Sequence, residues 1–138
     1  MHQALAILTF DTLGRGLVEI TEDVTSWLRE TDIRVGQLTL FCQHTSASLV
    51  VTENASPAVQ RDLLRWLGAA APDGEGYEHS AEGPDDMPAH IRAMLTGNSL
   101  TLPVADGRIM LGTWQGVFIA EHRTRAHKRT IVLQAIGD

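Results

Sequence analysis

Three histidines lie in polar segments and could together bind a metal ion. His44, His79 and His90 each stand in a stretch that is polar and interrupted by glycine or proline. Imidazole is the commonest metal ligand in proteins, and three of them leave one position open for water or substrate. Their spacing alone does not show that they meet, because they come from different elements. We predict one shared divalent ion, with solvated or hydrogen-bonded histidines as the alternative.

Acidic residues accompany these histidines. The loop from residue 73 to residue 86 carries six acidic residues and no Lys or Arg. Such a loop is typical of a solvated surface, but Glu82, Asp85 and Asp86 could instead hold a hydrated divalent ion beside a phosphorylated ligand. We also expect Glu82 and Asp85 to orient the histidine rings as hydrogen-bond acceptors.

Hydroxyl and guanidinium groups elsewhere in the chain suit phosphate oxygens. Thr45 and Ser46 belong to a run of hydroxyls that either surrounds an anion or caps a bend. The connection 121–129 holds four of the eleven basic residues. Because arginine forks match phosphate and pyrophosphate geometry, we predict that Arg123 and Arg129 bind substrate. The rest of the connection is interpreted as a charged loop that discourages edge pairing.

Two amides and one carboxylate complete the candidate residues. Asn54 precedes a predicted helix, and Gln115 stands among small residues where a ligand can approach the backbone. Both amides could orient a polar substrate. Glu121 is a candidate base if a metal-bound water is to be activated. Trp114 is interpreted as a packing residue, with a stacking platform as the alternative.

Three predicted helices carry part of this set. Apolar spacing indicates one short helix after Thr21, one across 56–68 and one across 86–97. We expect Thr21, Ser56 and Asp86 to cap them, because short polar side chains accept hydrogen bonds from the free amides of a first turn.

The remaining elements are predicted strands. Alternating or continuous apolar residues indicate strands across 3–10, 16–20, 37–42, 48–52, 99–104, 108–112, 114–120 and 130–136. We expect the first two to form a hairpin around Gly14, and Asp106-Gly107 to form another. The predicted class is α+β: a mixed, largely antiparallel sheet or sandwich with about three packed helices.

Composition limits the possible functions. The 138 residues suit a single domain over 1–138, and 43% are hydrophobic, so a packed core is expected. A net charge of −6 argues against nucleic-acid binding across the whole surface. The single cysteine, Cys42, cannot form an internal disulfide, and no apolar run is long enough to cross a bilayer. We expect no membrane partner and a cytoplasmic location.

Several motifs, taken together, resemble the YjbQ family, whose members are also called secondary thiamine-phosphate synthase enzymes. The motifs are His44-Thr45-Ser46-Ala47-Ser48, Glu53-Asn54, Asp85-Asp86-Met87-Pro88-Ala89-His90, Leu111-Gly112-Thr113-Trp114-Gln115-Gly116 and Glu121-His122-Arg123. They occur in the order and spacing of that family. The sequence departs from many relatives between Arg123 and Arg129, where a glycine-containing turn is common.

The resemblance implies an α+β subunit assembled as a homotrimer, with ligand sites near subunit boundaries. It also implies a weak thiamine-phosphate synthase activity, in which a pyrimidine diphosphate is joined to a thiazole phosphate and pyrophosphate is released. The implied cofactor is a divalent metal ion, zinc as isolated, with magnesium as the alternative in catalysis. The matching site positions are His44, Thr45, Ser46, Asn54, His79, Asp85, His90, Gln115, Glu121 and Arg129.

Three functions remain open at this point. The first is a transferase in which a metal neutralises the diphosphate leaving group. The second is a trimeric protein that binds a metal and a phosphorylated metabolite and has only incidental synthase activity. The third is a metal-assisted hydrolase with Glu121 as its base.

Overall fold

A computed structural model describes all residues from Met1 to Asp138. The chain forms three helices and eight strands. The helices are α1 (Thr21–Glu30), α2 (Pro57–Ala70) and α3 (Asp86–Thr96). The strands are β1 (His2–Thr12), β2 (Gly16–Glu19), β3 (Gly36–Cys42), β4 (Ala47–Glu53), β5 (Ser99–Ala105), β6 (Arg108–Ile109), β7 (Gln115–Glu121) and β8 (His127–Gly137).

Two antiparallel sheets pack around one apolar core. Sheet A has the strand order β1-β8-β3-β5-β6, and sheet B has the order β2-β7-β4. Leu40 and Leu133 of sheet A and Leu49 and Ile119 of sheet B are at most 1% exposed. Burying one such side chain contributes about 1.5 to 3 kcal/mol. The predicted α+β class with a largely antiparallel sandwich is confirmed.

The helices cover different parts of this sandwich. Val24 and Leu28 of α1 are fully buried in the core. Helix α2 lies against the outer face of sheet B, and Leu67 is its only buried residue. Helix α3 packs beside β4. None of the three combines the length and apolar character that a membrane-spanning helix requires.

The predicted hairpin of the first two strands is wrong. β1 pairs with β8 in sheet A, whereas β2 pairs with β7 in sheet B. Gly14, with φ of 127°, lies in the link that carries the chain from one sheet to the other. The Asp106-Gly107 hairpin is confirmed, and both residues have the positive φ that a tight hairpin turn requires.

None of the three predicted side-chain caps forms, although Ser56 does stand at the N-cap position of α2. Thr21 is the first residue of α1, and its hydroxyl donates to Glu19 and accepts the Val117 amide at 2.9 Å. Asp86 likewise opens α3, but its carboxylate accepts from side chains and from no first-turn amide. Both side chains instead bond to residues that are distant in sequence: Thr21 to Val117, and Asp86 to Arg123.

The outer face of sheet A is poor in charge. Residues that alternate away from the core bring Ile7, Val132 and Phe41 into one row across β1, β8 and β3. Ile7 is 60% exposed and Phe41 is 43% exposed. Asp11 and Lys128 form an ion pair at one end of this face. We call this surface the outer sheet face; its apolar members are Leu5, Ile7, Phe41, Val132 and Ile136.

Candidate functional site

Two histidines and one aspartate form a compact cluster at the start of α3. Asp86 and His90 are four residues apart, so they lie on the same face of the helix. His79 comes from the preceding loop. The potential ligand atoms of these three residues lie within 4.8 Å of one another. The Asp86 side chain is 2% exposed, whereas those of His79 and His90 are 46% and 30% exposed, so the cluster opens to solvent on the histidine side.

Hydrogen bonding fixes the tautomer of His90. Its Nδ1 atom lies 2.8 Å from the carbonyl oxygen of Thr45, and a carbonyl can only accept. Nδ1 therefore carries the hydrogen, and in the neutral ring Nε2 has a lone pair. That lone pair faces the Asp86 Oδ2 atom at 3.1 Å. Two acceptors at this distance repel each other unless a proton or a metal cation lies between them.

Arg123 holds Asp86 from the other side. Its guanidinium donates to Asp85 and Asp86, each at 2.9 Å, and to the carbonyl of Glu82 at 3.0 Å. Burial raises the pKa of Asp86, but the His79 hydrogen bond and the His90 and Arg123 charges outweigh it and keep the pKa below its ordinary value. The carboxylate is therefore ionised and fixed in place beside the two rings.

This network changes the interpretation of two predicted residues. All three nitrogens of Arg123 have protein partners and its side chain is 8% exposed, so it is a positioning residue and has no open nitrogen for phosphate. Asp85 accepts from Arg123 and Thr124. The expectation that Asp85 and Glu82 orient the histidine rings is therefore wrong, because Asp86 alone of these acids contacts them.

A second buried ion pair joins the ends of β7 and β8. Arg129 donates through Nε to the Glu121 carboxylate at 2.8 Å, and its Nη2 contacts both Glu121 and Ser46. Thr12 also donates to Glu121, at 2.6 Å. Burial raises the pKa of Glu121, yet the hydrogen bonds from Arg129, Thr12 and the Arg123 amide outweigh burial and lower it.

Both oxygens of Glu121 are thus occupied, and the side chain is fully buried. A general base needs a lone pair that can reach the substrate or water proton. The contacts of Glu121 suit a residue that positions Arg129. Sequence reasoning missed Thr12, since a threonine near the end of a strand has no distinguishing neighbours.

His44 does not belong to the cluster of His79, Asp86 and His90. Its Nε2 atom accepts the Thr130 amide at 2.7 Å, at the point where β3 has ended and no longer pairs with β8. His44, Thr45 and His90 line a groove of about 690 Å³. The structure therefore brings His79 and His90 together with Asp86, and places His44 on the neighbouring groove.

Asn54 and Gln115 lie at the opposite end of sheet B. Gln115 and Glu121 are the first and last residues of β7, so six residue steps of about 3.3 Å separate them by about 20 Å. Asn54 donates to Glu19, and Gln115 accepts from the Gly112 amide. Within one chain these two amides do not reach the histidines. Trp114, beside them, is 63% exposed, so its interpretation as a packing residue does not hold for the single chain.

Comparison with known proteins identifies close relatives. The family model described as UPF0047 protein YjbQ-like matches residues 6–138. UPF0047 protein sll1880 of Synechocystis sp. is 44% identical over 138 residues, covering 99% of this chain and 94% of the relative. UPF0047 protein YjbQ of Escherichia coli O157:H7 is 42% identical over 132 residues, covering 95% and 96%.

Solved structures share the fold. A Clostridium acetobutylicum protein of the YjbQ/UPF0047 family matches with a TM-score of 0.88 at 32% identity, covering 95% of this chain and 99% of that one. A YbjQ-like protein of unknown function from Sulfolobus solfataricus P2 also reaches 0.88, at 22% identity, covering 99% and 100%. The match over nearly the whole length and the sequence identity agree, and the chain belongs to the YjbQ (UPF0047) family.

Proposed function

We propose that this chain binds a divalent metal ion, zinc as isolated, through His79, Asp86 and His90, and acts there on a phosphorylated small molecule. One observation carries the proposal: the Nε2 atoms of His79 and His90 converge on the same oxygen of the buried Asp86 carboxylate, at 2.6 and 3.1 Å. With both rings neutral, a cation among these atoms would be bound by two imidazole nitrogens and one carboxylate oxygen.

The donor set fits zinc. Two imidazoles and one carboxylate are a ligand set of catalytic zinc sites, in which a fourth position stays open. The Thr45 carbonyl orients the His90 ring, and Arg123 orients Asp86, as outer partners do in metal sites. In this proposal Asp86 takes the place that the sequence prediction gave to His44. A bound divalent ion would supply neutralisation of negative charge on phosphate oxygens.

Two of the predicted substrate-binding residues keep polar groups free for a phosphate, and one of them, Thr45, lines the groove beside this cluster. Arg129 has one guanidinium nitrogen, Nη1, that makes no hydrogen bond within the chain, and Thr45 is exposed. Ser46 is mostly buried and accepts from Arg129, so it supports the arginine. Thr45 and Arg129 thus remain proposed substrate-binding residues.

For the reaction, we propose the weak coupling of a pyrimidine diphosphate to a thiazole phosphate with release of pyrophosphate. Departure of pyrophosphate leaves a cationic carbon, so this chemistry depends on charge neutralisation and positioning more than on a strong base. The occupied oxygens of Glu121 agree with such a reaction. They disfavour the hydrolase with Glu121 as base.

A second candidate is a binding protein whose synthase activity is incidental. The separation of Gln115 from Glu121 by about 20 Å favours it, because one chain does not assemble all predicted catalytic residues at one groove. Under this proposal, Asn54 and Gln115 would serve the fold or a neighbouring subunit.

We also propose a homotrimer. The outer sheet face exposes Leu5 and Ile7, at 63% and 60%, with little charge to keep it in water. Apolar patches of this kind are frequent at contacts between subunits. Burial of this face against other copies would remove the exposed apolar area and cover the edge strand β1.

Zinc content and rate test the proposed function together. We expect the parent protein to bind one zinc ion per chain, and His90→Ala to lose most of it. His2→Ala is the matched control, because His2 is exposed at the first residue of β1 and lies in no cluster. Turnover of the two thiamine precursors in the ordinary enzyme range supports the transferase, and a trace supports the binding protein. Equal zinc content in both variants would rule out the proposed centre.

A further inference from the structure

The environment of His44 defines which ring nitrogen carries its hydrogen. Nε2 accepts the Thr130 amide at 2.7 Å, and a backbone N–H can only donate. A ring that accepts at Nε2 must be neutral and must carry its hydrogen on Nδ1. Burial, with a smaller contribution from the Arg129 charge, lowers the pKa of His44, which favours the neutral ring at pH 7.

This tautomer leaves His44 without a lone pair for a metal. Its acceptor nitrogen is occupied by Thr130, and its other nitrogen bears the hydrogen. The Nδ1–H group has no acceptor within the chain. Every fully buried polar side-chain atom does have a partner, so Nδ1–H reaches solvent. His44 therefore presents an oriented donor.

Arg129, the residue before Thr130 in the sequence, keeps a second free donor. Nε and Nη2 are held by Glu121 and Ser46, which fixes the plane of the guanidinium. Nη1 has no partner and also reaches solvent. The Glu121 carboxylate, the one acid in this ion pair, has both oxygens occupied and is fully buried. The Arg129–Glu121 pair is neutral as a whole, so free N–H groups, and not net charge, are what this region offers an anion.

We infer that the Nδ1–H of His44 is the donor of an anion subsite for a phosphate or pyrophosphate oxygen, and that His44 is a hydrogen-bond donor and not a metal ligand. The groove that His44 shares with Thr45 and His90 places this subsite beside the proposed metal centre. The inference rests on the proposed function for the identity of the anion, because a diphosphate could then contact the metal and the subsite together.

Two variants of His44 separate donation to an anion from support of the fold. His44→Gln can place an amide oxygen near the Nε2 position and keep an acceptor for Thr130, but it loses the Nδ1–H donor. His44→Asn keeps a donor near the Nδ1 position and loses the acceptor. His44→Gln therefore removes only the donor of the ring, and His44→Asn removes only its acceptor.

We expect opposite effects on anion affinity and stability. Titration calorimetry of the zinc-loaded proteins with inorganic pyrophosphate should show that His44→Gln binds at least about 10-fold more weakly than the parent. The lost hydrogen bond is to a charged anion, and such bonds are stronger than those between neutral groups. His44→Asn should bind within about threefold of the parent. Its melting temperature should be lower by roughly 4 °C, because the Thr130 amide loses its partner.

Zinc content distinguishes failure of this inference from failure of the metal centre. Both variants should retain the zinc content of the parent, which is measured before calorimetry. Loss of zinc in both variants would restore His44 as a ligand and overturn the inference, while leaving His79, Asp86 and His90 testable through His90→Ala. Unchanged pyrophosphate affinity in His44→Gln would overturn it as well, and would leave His44 only its bond to Thr130.

Discussion

Replacing Arg123 with glutamine should strongly destabilise the protein. The guanidinium donates to Asp85 and Asp86 at 2.9 Å, and all three side chains are at most 9% exposed. Removing one partner of a buried ion pair costs about 3 to 5 kcal/mol, because a charge is left unpaired away from water. We expect the free energy of unfolding of Arg123→Gln to fall by about that amount at pH 7.

The ion pair between Arg123 and Asp85 predicts how this loss of stability depends on pH. Burial raises the pKa of Asp85, but hydrogen bonds from Thr124 and Arg123 outweigh it and bring the pKa well below its ordinary value. A carboxylate with a lowered pKa stabilises the fold above about pH 5, and this contribution is lost as pH falls below about 4 toward the native pKa. The difference in free energy of unfolding between the parent and Arg123→Gln should therefore be smaller at pH 3 than at pH 7.

Urea denaturation followed by tryptophan fluorescence measures the effect. Parent and variant are compared at equal protein concentration, because association would shift the apparent stability. Arg65→Gln is the matched control: Arg65 pairs with Asp62 on the surface, where both side chains are more than 60% exposed, and should cost no more than about 1 kcal/mol. A loss below about 1 kcal/mol in Arg123→Gln, or a difference that does not narrow with acid, would refute the structural role.

Three further outcomes are expected. Glu121, whose pKa is lowered, should add to the acid sensitivity, so the urea concentration at the unfolding midpoint of the parent should be lower at pH 3 than at pH 6. Gly36→Ala should unfold at a lower temperature or fail to fold, since a Cβ there would clash with the Ile136 carbonyl and lie 2.8 Å from the Gly137 Cα. Sedimentation at micromolar concentration should show one species at three times the chain mass, and Ile7→Asp on the outer sheet face should release monomer; a parent that sediments as a monomer would contradict the trimer.

The elements were predictable from local pattern, but their pairing was not. All eight strands and three helices fall where apolar spacing indicates, because that spacing records which face of each element is buried. The partner of β1 is β8, more than 100 residues away. No local signal contains that choice, since the same alternation at β1 would suit a hairpin with β2.

The candidate site was predictable in its residue types and less so in its geometry. The motif residues His79 and His90 do meet, and the four-residue spacing of Asp86 and His90 was a signal that they share a helix face. The ion pairs that occupy the Arg123 guanidinium could not be predicted, because its partners Asp85 and Asp86 lie 38 and 37 residues away in the chain. Thr130, which fixes the His44 tautomer, lies 86 residues from it.

The strand order of sheet A also bears on how the protein is made. β8 lies between β1 and β3, and it is the last strand in the sequence. During synthesis, β1 emerges before β8 and remains without its pairing strand until β8 has left the ribosome. Pairing of strands this distant is slow to form and leaves apolar segments exposed meanwhile. Folding of sheet A is therefore expected to wait until β8 has been synthesised, and until then the apolar residues Leu5 and Ile7 of β1 would be open to chaperone binding.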